Sequence, residues 1–461
     1  MGQVATPVKT GEQAPRPAPS AQRALAQLRR TVDTAPGRLR MASAVLAVLV
    51  VAFGALTAWQ VSGRAHAADQ VVSHSQPLSQ DAAEIYRSLA DADTTAASGF
   101  LLAGDAPQAL RDRYENDLAT AARLLAQAAA RTDAASDAQQ WVAALNQQLP
   151  QYAGLVETAR VNNRQGLPLG GAYLRYASHQ MQDTMLPAAQ RLVDAEARQL
   201  DGDYAEARSF PWAAIGLGVL ALAALLWCQV QLLRRTNRVF NAGLVGATAA
   251  VLAAVLWLLA SSLSARVDLA DSRLHGAGPL RSLNAARIEA LQSRAAENLD
   301  LVARGATDGY SKRWTAVTEM LSGPPAANGR SWARGSTLAQ ARQDAPRDAD
   351  SALAQAQTLF TAWDSRHRAA ATSNDGGDYE AALKTVIGTS GGSGTDTSDQ
   401  AFNAMDQQLA RAAVIEQAAF KASAQGVGGS LDTLAAGAGL LAVLAAVGVV
   451  VGLGRRLAEY R

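Results

Sequence analysis

Four stretches of the chain, 42–61, 210–232, 240–262 and 434–453, are runs of apolar and small residues without a single Asp, Glu, Lys, Arg or His. Roughly 20 helical residues cross a hydrocarbon layer of about 30 Å, and backbone groups in lipid must pair within their own segment. Each stretch is therefore predicted to be a membrane-spanning helix. Between the stretches the pattern changes to a helical period. Pro77-Leu78 opens the stripe Leu78, Ala82, Ile85, Leu89, Ala92, Ala96, and 202 residues later Pro279-Leu280 opens Leu280, Leu283, Ile288, Leu291, Ala295, Val302. Spacings of three and four put each set on one narrow face, the pattern of helices packing lengthwise on each other.

The two stripes open a repeat. Arg113-Tyr114 is matched by Arg313-Trp314, Tyr152 with Leu155 by Phe360 with Trp363, and Gly170-Gly171-Ala172-Tyr173 by Gly376-Gly377-Asp378-Tyr379. The offset is 200 to 208 over these pairs and about 223 at the closing span, with the Gly/Ser/Thr-rich run 387–400 as a flexible insertion. Aromatic residues make up only 5% of the chain and alternating β-branched runs are scarce, so strands are not expected. The fold class predicted is an all-α membrane protein: four transmembrane helices and two duplicated extracytoplasmic antiparallel four-helix bundles, at 62–209 and 263–433, whose outer helices continue the spans. Loops are predicted at 104–107, 166–171 and 322–336. Small residues four apart, Gly243 with Ala247, Gly246 with Ala250 and Gly448 with Gly452, suit close helix approach in a membrane.

Charge adds an orientation. The net +2 divides into +10 over 1–41, 233–239 and 454–461, −6 over 62–209 and −2 over 263–432. Basic loops stay on the cytoplasmic side. Both termini and the connector 233–239 are therefore assigned to the cytoplasm, with the two large segments outside a cell membrane. Residues 1–41, with Pro15, Pro17 and Pro19, are predicted to be a disordered basic arm suited to anionic lipid. Ala65-His66-Ala67 has the form of a signal-peptidase site, yet an n-region of about 40 residues is long for a cleaved signal, and the first span is expected to be retained. One cysteine excludes a disulfide framework, and 49% apolar against 18% charged residues excludes a disordered chain. Arginine outnumbers lysine 38 to 4, the usage of a high-GC bacterial genome.

Catalytic patterns are missing: no His-Glu-x-x-His, no phosphate loop and no Gly-x-Ser-x-Gly elbow. Gly216-Leu217-Gly218 lies in a span and reads as helix packing. The five histidines are scattered, and Asp375, Asp378, Glu380, Asp396 and Asp399 flank Gly-rich loops without the spacing of a calcium loop. Spans free of ionisable groups argue against transport. No enzymatic activity, metal, cofactor or nucleic-acid partner is expected. The stretch 152–178 is the most informative. It places Asn162, Asn163, Arg164 and Gln165 beside a turn with Gly166, Pro168, Gly170 and Gly171, flanked by Tyr173, Arg175 and Tyr176. Those donors and acceptors form either a surface for a carboxylate ligand or protein loop, or a helix-to-helix turn closed by Asn and Gly. The candidate recognition residues are Asn162, Asn163, Arg164, Gln165, Tyr173 and Arg175. The candidate cytoplasmic contacts are Arg234, Arg235, Arg238, Arg455 and Arg456.

With four spans, two helical outside units, basic cytoplasmic ends and the segment ETARVNNRQGLPLGGAYLR at 157–175, the chain resembles the actinobacterial four-pass membrane proteins of the protein kinase G pathway. The resemblance runs from about residue 37 to 461, with its motif confined to the first outside unit. The second unit keeps Gly376, Gly377 and Tyr379 but has no Asn-Asn-Arg-Gln equivalent. It implies a non-enzymatic relay that works with a glutamate/aspartate-binding lipoprotein outside and informs a soluble kinase inside. In layout each unit is also similar to the four-helix sensor bundles of chemoreceptors and sensor kinases. Two other readings stay open: a receptor that binds an amino acid directly, and a structural protein of the cell envelope. A homodimer is compatible with all three.

Overall fold

The structure, a computed structural model, describes residues 35–102, 107–132, 136–236, 241–272, 278–304, 307–324, 332–388 and 396–458. Every regular element among the described residues is helical. In chain order these are α1 (Ala35–Gln70), α2 (Gln76–Leu101), α3 (Gln108–Arg131), α4 (Asp137–Arg164), α5 (Leu169–Gln180), α6 (Leu186–Ala207), α7 (Trp212–Thr236), α8 (Ala242–Ser272), α9 (Gly278–Ala303), α10 (Gly309–Ser322), α11 (Thr337–Asp344), α12 (Asp350–Asp375), α13 (Tyr379–Ile387) and α14 (Ser398–Ala458). Single π-helical turns, Val71–Ser75 and Met181–Met185, precede α2 and α6. Pro77 and Pro187 explain them. A proline continuing a helix removes one bond to the preceding turn, and slipping the backbone into a π turn accommodates the loss.

Residues 1–34 of the expected basic arm lie outside the described residues, and α1 begins earlier than predicted, at Ala35 with Pro36 in its first turn. Proline is favourable there because its missing N–H has no partner to lose. The loop expected at 166–171 is shorter, since Gly170 and Gly171 already belong to α5. Most of the loop 104–107 and the central parts of 322–336 and 387–400 lie outside the described residues.

Two compact units divide the chain. Among the described residues the first comprises 35–60, 211–236, 241–260 and 434–458. Val50, Phe53, Leu225, Val251, Val255 and Val449 share its core, drawn from α1, α7, α8 and α14. Val48, Leu220, Trp227, Leu256 and Val447 are exposed on its outside. A unit apolar both within and without is compatible with lipid around it. Three helices are long and apolar enough to cross a membrane, with their apolar parts in α1, α7 and α8, and a shorter apolar stretch covers Gly439–Gly454 of α14. These features are compatible with a multi-pass membrane protein. α8 and α14 touch at glycine: a Cβ on Gly243 would lie 2.5 Å from both Gly448 O and Gly452 Cα. Gly246 meets nothing within 4 Å, so the expected pair with Ala250 makes no such contact. Gln229 Nε2 donates to Leu244 O at 3.0 Å and Thr248 Oγ1 at 2.6 Å, tying α7 to α8, and Asn241 Nδ2 donates to Gly452 O at 2.7 Å.

The second unit comprises 61–210 and 261–433. All twelve stripe residues of α2 and α9 are buried, but so are Ser88, Asp91, Asp93 and Ser98 of α2 and Arg287, Arg294, Glu297 and Asn298 of α9. The narrow stripe predicted for each helix is thus wider in the fold. α2 packs on α3 and α6, α9 packs on α10 and α11, and the two helices also pack on each other. Each is therefore covered from both sides. One core runs through Leu89, Leu125, Tyr152, Leu192, Leu291 and Trp363, so the segments expected as two bundles make one unit.

Candidate functional site

The turn singled out in the sequence closes α4 by a Schellman arrangement. Gly166 has φ 67°, and the N–H groups of Gly166 and Leu167 bond back to Asn163 O and Asn162 O at 3.0 and 2.9 Å. A Cβ at Gly170 would lie 2.9 Å from Asn163 N and 3.0 Å from Ala159 O, so α5 turns back across α4 at a distance only glycine permits. Asn162 Nδ2 donates to Thr158 O at 2.8 Å, and Asn163 Nδ2 donates to Phe100 O at 3.1 Å at the end of α2. Both asparagines therefore hold backbone. Arg164, Gln165, Tyr173 and Arg175 stay exposed, beside exposed Leu167, Leu169 and Tyr176.

Of the candidate residues, Asn163 and Arg164 share a cleft of about 220 Å³ at the ends of α2, α3 and α4, lined also by Thr95, Phe100, Arg111 and Arg160. The Arg160 guanidinium lies 4.1 Å over the Tyr114 ring and 2.7 Å from Glu157. Glu115 and Glu157 line the cleft as well, so it mixes carboxylates with planar guanidinium groups of the kind suited to a carboxylate. One wall of the cleft is the turn of α2 that also meets α9: Thr94 O and Ser98 Oγ accept from Asn298 Nδ2 at 3.3 and 2.8 Å.

Behind the cleft α2 carries two buried acids that the sequence reading did not identify. Asp93 accepts from Tyr152 Oη at 3.2 Å, Ser178 Oγ at 2.9 Å and Gln182 Nε2 at 3.3 Å, gathering α4, α5 and the π turn onto α2. Burial raises its pKa, against the lowering effect of those three donors. Asp91 holds Arg113 of α3 through two bonds of 3.0 and 2.8 Å. These elements form one sequence-contiguous block. Residues 67–205 match the actinobacterial sensor domain. No curated protein and no solved structure matches the chain.

The sensor-domain segment covers α2–α6, and with them the turn, the cleft, Asp91 and Asp93, whereas α9–α14 lie beyond it. Arginines are among the residues that join the segment to those later helices. Arg113 Nη1 donates to Asn403 Oδ1 of α14 at 2.7 Å, and Arg313 Nη1 of α10 donates to Gln182 Oε1 at 2.9 Å. From Asn403 a part-buried chain continues: Asn403 Nδ2 to Asp399 at 3.1 Å, and Arg294 Nη2 to Asp399 at 2.6 Å. Arg294 also pairs with Glu297, which accepts from Ser398 Oγ at 2.7 Å and Trp363 Nε1 at 3.3 Å. Burial pushes the Glu297 carboxyl up, but Arg294, His367 and Ser398 outweigh it and hold the group at about 2. Asp117, facing Asp91, is raised to about 8 by burial and by that neighbouring carboxylate.

Asp378, Asp396 and Asp399, weighed as calcium ligands, turn to separate partners: the N–H of Ala381, Arg366 and Arg294. Among the cytoplasmic candidates, Arg234 is exposed at the end of α7, Arg238 lies outside the described residues, and so do the side chains of Arg235, Arg455 and Arg456. The buried acids had one signal in the sequence. Asp91 and Asp93 fall beside the stripe residues Leu89, Ala92 and Ala96, and Arg113 and Arg313 stand 200 residues apart, each followed by an aromatic residue.

Proposed function

We propose that the chain is a non-enzymatic transmembrane signal relay: four spans, both termini cytoplasmic, and duplicated helical segments 62–209 and 263–433 outside the cell. The observation that carries this reading is the sensor-domain match at 67–205, which begins inside α1, the helix that also holds the apolar stretch 42–61. Relay requires two arrangements to which an outside partner binds with different affinity. The reciprocal arginine contacts, Arg113 to Asn403 and Arg313 to Gln182, are the means by which a shift in one segment biases the other.

On the resemblance noted above, the outside partner is a glutamate/aspartate-binding lipoprotein and the inside partner a kinase pathway. Arg164, Gln165, Tyr173 and Arg175, with Leu167, Leu169 and Tyr176, offer the lipoprotein an exposed mixed surface, and the arginine clusters at Arg234 to Arg238 and Arg455 to Arg456 offer the inner contact. Direct sensing is the second reading, favoured by the guanidinium-lined cleft. Deleting the chain is expected to abolish the cellular response to external acidic amino acids, and a chain carrying R164A, Y173A and R175A is expected not to restore it while reaching the membrane normally. An unchanged response after deletion, as a purely structural envelope role predicts, contradicts the proposal.

A further inference from the structure

A second cleft, distinct from the one beside Arg164, lies between α2, α6, α9 and α10 and has a volume of about 370 Å³. This is at the small end of the roughly 300–1,000 Å³ usual for ligand sites. Its walls alternate apolar side chains, such as Ala83, Val193 and Ile288, with the amides of Gln76, Gln80 and Asn284. Glu289 lines it, and the Oε2 atom of that residue is shielded from water without a hydrogen-bond partner. Burial raises the Glu289 pKa. A buried carboxylate oxygen left unpaired is costly, and a donor or cation beside it removes the cost. The second acid in the lining is Asp194, which already accepts from Gln190 Nε2 at 3.0 Å. Its one basic residue, Arg281, is engaged 3.3 Å away with Asp201. An anion entering this cleft meets two acids, whereas a cation with N–H groups meets two carboxyl side chains, one of them holding an oxygen without a hydrogen-bond partner, and several amide side chains.

We propose that this cleft binds a small ammonium-bearing ligand, its N–H groups bonded to the Glu289 carboxylate and the surrounding amide oxygens. The ligand touches α2 and α6 of the sensor-domain segment and α9 and α10 beyond it, so its presence favours one packing of the two. This consequence rests on the sensing reading, while the binding itself does not. The test is calorimetric titration of the purified full chain in detergent with methylammonium and with putrescine, using acetate as control. Saturable heat is expected from the amines and none from acetate. E289Q is expected to weaken amine binding about tenfold or more, the loss of a charge-assisted bond. D194N, a change at an exposed carboxylate, tests the same charge preference with little risk to folding and is expected to weaken binding by a smaller factor. No saturable heat from either amine overturns the proposal, as does unchanged affinity in D194N together with E289Q, or in D194N alone should E289Q not fold. Because no signalling is read out, failure here leaves the relay reading to its own deletion test.

Discussion

Asp117 shows how far a single buried side chain departs from what its type suggests. Its carboxyl, raised to about 8 in the fold, has an unfolded value of about 4. Between those values the folded chain holds a proton that the unfolded chain releases. The resulting stability is complete below about pH 4 and is lost as pH rises through about 8, so the unfolding free energy falls over that window. Denaturant titrations across it are expected to show this decline, and D117N is expected to flatten it. A wild-type stability that rises with pH between about 5 and 8 contradicts the assignment. Arg294 makes the opposite case. It is fully buried between Glu297 and Asp399, and Arg294→Met leaves both acids without their cation. A loss of about 3–5 kcal/mol is expected in chemical or thermal unfolding, and a loss within a few tenths contradicts the pairing. Such residues were poorly legible in the sequence because a charged residue in a helix reads as solvent-facing by default. Their partners lie up to 290 residues away, as with Arg113 and Asn403, and no local spacing announces them. Asn162, Asn163 and Gly166 were legible as a turn, since capping chemistry is local.

At the scale of elements, periodicity identified α2 and α9 correctly, and the uncharged stretches correspond to the apolar parts of α1, α7, α8 and α14. It did not give the breadth of burial on α2 and α9. Amphipathic reading assigns polar positions to water, and here many of those positions bond to neighbouring helices instead: Asp91 to Arg113, Asp93 to Ser178, Arg287 to Asp406 and Asn298 to Ser98. Small-residue spacing was partly informative. Gly243, Gly448 and Gly452 do form a close crossing, and Gly246 does not. A methyl group on Gly452 would lie 3.0 Å from Gly243 Cα and Leu244 N, backbone atoms that cannot turn aside. Gly452→Ala is therefore expected to force α8 and α14 apart and to destabilise the first unit by about 1–3 kcal/mol. Gly246→Ala, with open space around it, is expected to be neutral or slightly stabilising. Equal effects of the two substitutions on thermal stability in detergent contradict the observed crossing.

For the whole molecule, the apolar unit and the helical unit follow from where the chain keeps its charges. The joining of the two helical segments, 62–209 and 263–433, into one core does not follow, because each alone reads as a complete bundle. Arg113 and Asn403 belong to different segments, so a double-mutant cycle on R113A and N403A measures their coupling directly. An interaction of about 0.5–3 kcal/mol is expected, and additivity contradicts the link. The relay proposal itself depends on which side of the membrane each segment faces. Cys228 is the chain's sole cysteine and is buried, so engineered cysteines at exposed Tyr176 and Arg234 can be read almost without background in intact cells with a membrane-impermeant thiol reagent. The account predicts labelling of Y176C in intact cells and of R234C only after permeabilisation. Labelling of R234C from outside, with Y176C protected, contradicts it.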